Sequence, residues 1–358
     1  MTRLFTTGYE TGDVAEAGTS TVAAVHTMTV VSATPTPRAG SYCLKIGSAG
    51  TGFNGSSSKA FAFASTKTDM WLRVAFFAHG LGSSNECTFV VWNDNLGGAQ
   101  CSLGFWPADG LLRVHRGGTT VTTVIGTASS AMTQDAWHVI EMRYQITSAT
   151  VGTVEVWLDN VRVINFAGDN SATANVNVLS VQLGALFTAS SSTSPGIYLA
   201  FDDIAINDTS GSVNNARAGD GRVVLLVPNG AGSSTQFVRG GTDTGANYSQ
   251  VNEIPPSLLQ YVSSATVGNR DLYTLADLAV AVSSINVVEV ISLAQNSDAG
   301  GGSLAPTVKS GSTTSEASAV SLAASAGYIN GRWETDPATG AAWTAAAVNA
   351  LEAGATVR

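Results

Sequence analysis

Apolar and polar residues alternate in short runs along most of the chain, with Gly, Asn, Ser and Asp between the runs. A period of two puts alternate side chains on opposite faces of a strand, so each run reads as a half-buried strand. The pattern predicts strands over 42–46, 70–78, 87–92, 101–106, 111–116, 119–125, 138–146, 153–158, 161–166, 177–183 and 197–206. In HVIEMRYQI, which starts at His138, Ile140, Met142, Tyr144 and Ile146 share one face; Val139, Glu141, Arg143 and Gln145 share the other. In the next run Val154, Val156 and Leu158 oppose Glu155, Trp157 and Asp159. Asp159-Asn160 reads as a two-residue hairpin turn, because both residues tolerate positive φ. Trp157 stands out, an indole on the parity of the charged residues.

No helical period of comparable strength precedes residue 210. Many short strands separated by turn residues predict an antiparallel two-sheet sandwich for residues 1–210. The stretch NDTSGSVNNARAGDG, 207–221, reads as a linker. Beyond it, strands are predicted over 222–227, 235–239, 261–267, 271–275, 287–293, 306–309, 317–322 and 328–334, so residues 211–358 form a second, smaller β domain. A short C-terminal helix over 345–353 is expected. Thr344 is its N-cap, Trp343 and Val348 stand at staple positions, and Gly354 closes it.

Composition narrows the function. Charged residues make up only 12% of the chain, and the net charge is −9, from 17 basic and 26 acidic residues. No Lys/Arg cluster occurs, which argues against nucleic-acid binding. No run has the roughly 18 apolar residues of a membrane span, so no membrane insertion is expected. MTRLFTTGYE lacks the apolar stretch of a secretion signal, so export by that route is not expected. Cys43, Cys87 and Cys101 include no C-x-x-C pair. Cys87 and Cys101 flank a hairpin and are able to face each other, but buried free thiols are the preferred reading. A surface poor in charge and rich in small residues lowers the desolvation cost of protein contacts. A homo-oligomer is therefore expected, with most contacts from the region after residue 210.

Candidate chemistry is sparse. No G-x-S-x-G or Gly-Lys-Ser/Thr loop occurs, and the four histidines, His26, His79, His115 and His138, are scattered. Glu10, Asp13 and Glu16 are spaced by three, which cannot place all of them on one face of a strand, so a two-carboxylate glycosidase site is not expected there. Sugar binding needs an aromatic platform beside amides and carboxylates. Trp92, Asn93, Asp94 and Asn95 supply those types in one loop, and Trp106 ends the neighbouring strand, with Arg113, His115 and Arg116 after it. The competing reading makes Trp92 and Trp106 core or rim aromatics of the hairpin.

DAWHVIEMRYQI, TVEVWLDNVRV and IYLAFDDIAIND resemble the late strands of concanavalin A-like lectins and glucanases, in their laminin G-like branch, and GYETGD is similar to the opening of such modules. The resemblance covers about residues 1–208 and implies a jelly-roll sandwich. Such folds often hold Ca²⁺ through loop carboxylates; Asp202, Asp203 and the Asn93-Asp94-Asn95 turn are the places to look, although no cofactor is required. GRVVLLVPNG, VNEIPP and DPATGAAWTAAAVNALEAG resemble the C-terminal region of tailed-bacteriophage virion proteins. That second resemblance implies a non-enzymatic structural protein of the virion, assembled in the bacterial host cytoplasm. It would decorate the capsid or form part of the tail or a tail fibre, with other virion proteins as partners and, by analogy with phage appendages, a trimeric state. The alternative is a lectin-like receptor-binding protein that adheres to host-surface glycan through Trp92–Asn95 and Trp106. A glycan depolymerase is the least favoured.

Overall fold

The alternating runs pair into two antiparallel sheets that share one core. The chain is described in a computed structural model over residues 2–49, 55–83, 86–118, 123–186, 196–241, 244–298 and 300–358. It divides into two units, residues 1–224 and 225–358. Among the described residues of the first unit, one sheet has the strand order Val161–Gly168, Val151–Leu158, His138–Ser148, Asp69–His79, Tyr198–Asp208, Cys43–Ser48, His26–Val31, with Arg3–Thr7 also on Tyr198–Asp208. The other runs Thr123–Thr127, Leu111–Arg116, Ala99–Trp106, Cys87–Asn93, Val178–Leu186, Ser56–Lys67, Thr19–Thr21. Residues 119–122 of the strand expected over 119–125 lie outside the described residues.

The inward parity is the one the alternation predicts. Ile140, Met142, Tyr144, Ile146, Val154, Val156 and Leu158 are all buried, and they pack with Leu72, Val74, Phe76, Phe89, Leu103 and Phe105 from both sheets. Asp159 and Asn160 have φ of 49° and 69°, the left-handed pair that a tight hairpin needs. Cys43, Cys87 and Cys101 are free and buried. Cys87 opposes Phe105 and Cys101 opposes Trp92, so the two hairpin cysteines are out of register for a disulfide.

The NDTSGSVNNARAGDG segment is docked onto the first unit, and the division falls after Val224 rather than at 210. Asn207 Nδ2 donates to the Ala216 carbonyl at 3.0 Å, the Gly219 amide to Glu141 Oε1 at 2.7 Å, and the Val223 amide to Asp203 Oδ1 at 2.6 Å. Arg217 pairs with Glu141, and Arg38 with Asp220. Polar composition reads as a linker, but its backbone amides and carbonyl, with the Arg217 and Asp220 side chains, satisfy polar groups on the outer face of the eight-stranded sheet.

The second unit is also β-rich. Its largest sheet has the order Pro228–Thr235, Arg270–Leu275, Glu352–Val357, Ser303–Ser310, Thr313–Glu316, beside the two-stranded ribbons Val238–Gly241 with Gln260–Ser263 and Val288–Ala294 with Gly327–Trp333. Thr344 caps the C-terminal helix as expected, accepting from the Ala347 amide at 3.1 Å. The helix covers only Ala345–Asn349, and Glu352–Val357 is a strand. Leu351, Ala353 and Ala355 alternate inward there, and Gly354 lies flat against the Asp271 carbonyl where a Cβ would collide. Among the described residues no helix is long and apolar enough to cross a membrane.

Candidate functional site

The loop expected to bind sugar is taken apart by the structure. Trp92 is 0% exposed, its ring lies 6.0 Å from that of Tyr144, and its Nε1 points at Met142 Sδ at 3.4 Å. It offers no face to a ligand. Asp94 is consumed by its own turn. Oδ1 accepts from the Leu96 and Gly98 amides, and Oδ2 from Thr173 Oγ1 and Asn175 Nδ2. Burial raises the pKa of this carboxyl, but those four donors outweigh it and hold the group below the usual range. Asn93 is buried, and Asn95 exchanges hydrogen bonds with Asn177. Of the five expected residues only Trp106 is left on a surface with chemistry.

That surface is the outer face of the seven-stranded sheet. Pairing of Ala99–Trp106 with Leu111–Arg116 sets Ser102 opposite His115 and Gly104 opposite Arg113. The row through Ser102 continues across Val91 to Gln182. Glu86, just before its strand, lies over Gly104 and meets His115 Nε2 at 2.6 Å. Arg113 holds Asp109 at 2.6 Å, and its guanidinium carbon sits 4.8 Å from the Trp106 ring centre.

Three atoms of this face, His115 Nδ1, Ser102 Oγ and Arg113 Nη1, are buried without a hydrogen-bond partner among the described residues. Leaving such groups unpaired costs about 1–3 kcal/mol each, so the cluster is built for something that completes it. A carboxylate that accepts from Nε2–H of a neutral imidazole leaves Nδ1 of that ring as the acceptor. The cluster therefore groups a buried imidazole, a fully buried hydroxyl and a guanidinium beneath an aromatic rim. Sequence reasoning brought Trp106, Arg113 and His115 together by proximity along the chain. It missed Glu86, Ser102 and Gln182, whose places depend on strand register.

A second cluster bears on metal binding. Glu10 is buried. Its Oε2 accepts from the Ser41 amide at 2.8 Å, while Oε1 has no partner among the described residues, and a Cβ on Gly40 would overlap the carboxylate. Burial raises the Glu10 pKa to about 7, against hydrogen bonds from the Ser41 and Tyr42 amides and with further upward pressure from Glu16 and Asp203. Asp202 is raised too, by burial first and the Asp203 charge second, although the Arg38 and Ala39 amides donate to it. Asp202 does not fit a calcium ion, since its oxygens already accept from the Arg38, Ala39 and Asp203 amides, and Glu10 alone falls far short of the six to eight oxygens calcium takes. Asp203 does not fit, being held by Arg38 and the Val223 amide, and Asp94 does not fit because its lone pairs are used. No three His, Cys, Asp or Glu side chains converge as a ligand set among the described residues.

Glu10 gives a pH-dependent stability. The folded carboxyl keeps its proton to higher pH than the unfolded chain, so its contribution is complete below the unfolded value near ~4 and is lost as pH rises through about 7. Wild type should lose melting temperature relative to Glu10→Gln between about pH 5 and pH 8.5. Parallel melting curves for the two proteins across that range would rule this out.

No family model matches the chain, and no curated protein does. Solved structures similar to the chain include endo-beta-1,4-glucuronan lyase from the fungus Trichoderma reesei, at 14% identity and TM-score 0.44, covering 61% of this chain and 100% of that one. Cellulose induced protein Cip1 stands at 15% and 0.45, with 61% and 100% covered. The carbohydrate-binding module CBM66 from Bacillus subtilis stands at 7% and 0.32, with 51% and 96% covered. The β-sandwich itself is read from the strand pairing and the shared core of the first unit. The expectations of a non-enzymatic virion structural protein, decorating a capsid or tail, and of a chain without enzymatic activity are corrected here. The similar structures include ones named as polysaccharide lyases and a carbohydrate-binding module.

Proposed function

We propose that the first unit binds an acidic polysaccharide on the outer face of its seven-stranded sheet and cleaves it by β-elimination. The observation that carries this reading is the Glu86–His115 pair, with the free Nδ1 beside the unpartnered Ser102 hydroxyl and Arg113 Nη1. Hydrolysis by a carboxylate pair needs two carboxyls free to flank one bond. Here Glu86 is bound to His115 and Asp109 to Arg113.

Elimination needs a different set. Arg113, with Gln182 on the same face, neutralises the uronate carboxylate and so acidifies the C5 proton. His115 Nδ1 takes that proton. The C4–O bond breaks, a C4=C5 double bond forms, and the proton passes to the leaving oxygen. No water or oxidant is consumed. Trp106 supplies an apolar edge for the neighbouring sugar. The test is incubation with polyglucuronate and alginate, following the ultraviolet absorbance of the unsaturated uronate. Absorbance that does not rise, with no new reducing ends, defeats the reading.

Gly104 gives a test of geometry. A Cβ there would overlap Glu86 Oε1, the mobile tip of a side chain, while the backbone of Gly104 has no need of positive φ. Gly104→Ala should therefore push Glu86 off His115, lowering the rate while leaving the melting temperature close to wild type. An unchanged rate would show that the Glu86 contact does not matter.

A further inference from the structure

Four of the seven tryptophans donate their indole N–H to a protein acceptor: Trp92 to Met142 Sδ, Trp137 to the Thr36 carbonyl, Trp333 to Ser315 Oγ and Trp343 to the Trp333 carbonyl. Among the described residues Trp106, on the face just described, does not. The other two without such an acceptor, Trp71 and Trp157, stand side by side on the opposite side of the sandwich, the outer face of the eight-stranded sheet. Their ring centres are 5.3 Å apart and their planes 37° from parallel.

The register builds a frame around them. One row reads Asn165, Glu155, Arg143, Trp71; the next reads Arg162, Trp157, Glu141, Arg73. Arg143 forks onto Asp69 at 3.0 and 2.7 Å, and Arg162 holds Glu155 at 2.9 Å. Arg217, paired with Glu141 at 3.3 Å, comes within 5.4 Å of the Trp157 ring centre. Arg143, Arg162 and Arg217 are thus each paired with a carboxylate, while Arg73 of the same row is buried.

We infer that Trp71 and Trp157 form a second glycan-binding surface, on the side of the sandwich opposite the Glu86–His115 face. Two half-buried indoles whose N–H groups have no acceptor among the described residues, flanked by Arg143 and Arg217 and by ion-paired donors and acceptors, match the apolar edge and ring hydroxyls of a pyranose. Neither side chain is needed to fill the core, which lies on the other parity of both strands. Because each exposed guanidinium is matched by a carboxylate, stacking and hydrogen bonding rather than net charge recognise the sugar, and binding depends only weakly on salt. The inference does not depend on cleavage at His115. A polymer held on this face would keep the molecule on its substrate while the other face works.

The test is mobility of the full chain in native gels cast with alginate or with hydroxyethylcellulose. Wild type should be retarded in at least one, at low and high salt alike. Trp71→Ala and Trp157→Ala should weaken the retardation about tenfold or more. Cleavage of short oligouronates, read separately, should stay at the wild-type rate in both variants, which distinguishes failure here from failure of the lyase reading. Near-ultraviolet circular dichroism checks the fold, and Trp157→Phe, which keeps a ring, should retain part of the binding. Folded variants retarded like wild type would overturn the inference. So would a wild-type mobility unaffected by both polymers, or an effect of the substitutions on sedimentation alone, which would mark a protein-contact surface instead.

Discussion

His115→Asn is expected to lower the rate of unsaturated-product formation by about 10²–10⁴-fold, the usual weight of a positioned general base. Asparagine is close to imidazole in size and keeps a donor for Glu86, so the fold should survive; what is lost is the proton acceptor at Nδ1. The loss should fall on kcat more than on KM, because Arg113, Gln182 and Trp106 still hold the sugar. Glu86→Gln should act in the same direction, since an amide no longer fixes the Nε2–H tautomer. Initial rates on polyglucuronate and alginate, at matched melting temperature, decide the point. A variant within a few-fold of wild type would mean that His115 is a structural histidine whose Nδ1 is unpaired for some other reason.

The sandwich was legible because one face of most strands is buried and the other is not. The run from His138 to Ile146 and the Asp159-Asn160 turn carry nearly the whole argument for the eight-stranded sheet. Where both faces are covered the signal fades. Every residue of Cys87–Asn93 is buried, and its pairing with Ala99–Trp106 slips between Thr88 and Val90 and again between Trp92 and Asn93, so parity could not say which way Trp92 points. The strand Ser56–Lys67 escaped for another reason. It opens on polar residues, and Lys59 is buried with its Nζ bonded to the Val14 and Gly18 carbonyls and to Ser20, contacts that no local pattern announces. The candidate site sits between these cases. Its residue types are visible in LLRVHR, but its geometry comes from strands that are neighbours in space. Glu86 reaches His115 across 29 positions of chain, and Gln182 lies farther still.

Trp92→Ala is the substitution expected to cost the most stability. The indole is among the largest fully buried side chains and touches both sheets, through Tyr144 and Met142 on one side and its own strand on the other. Truncation leaves a cavity that close-packed neighbours fill only in part, at about 3–5 kcal/mol. For a unit of this size that corresponds to a fall in melting temperature of roughly 10 °C or more. Trp106→Ala makes the contrast. That ring stands at the rim over Arg113, so its loss should leave the melting temperature nearly unchanged while weakening glycan binding. The two variants together separate a core indole from a ligand-facing one. If Trp92→Ala melted within a couple of degrees of wild type yet lost retardation in polysaccharide gels, Trp92 would have to be turned outward in solution, and the Trp92–Asn95 loop would return as the sugar-binding site.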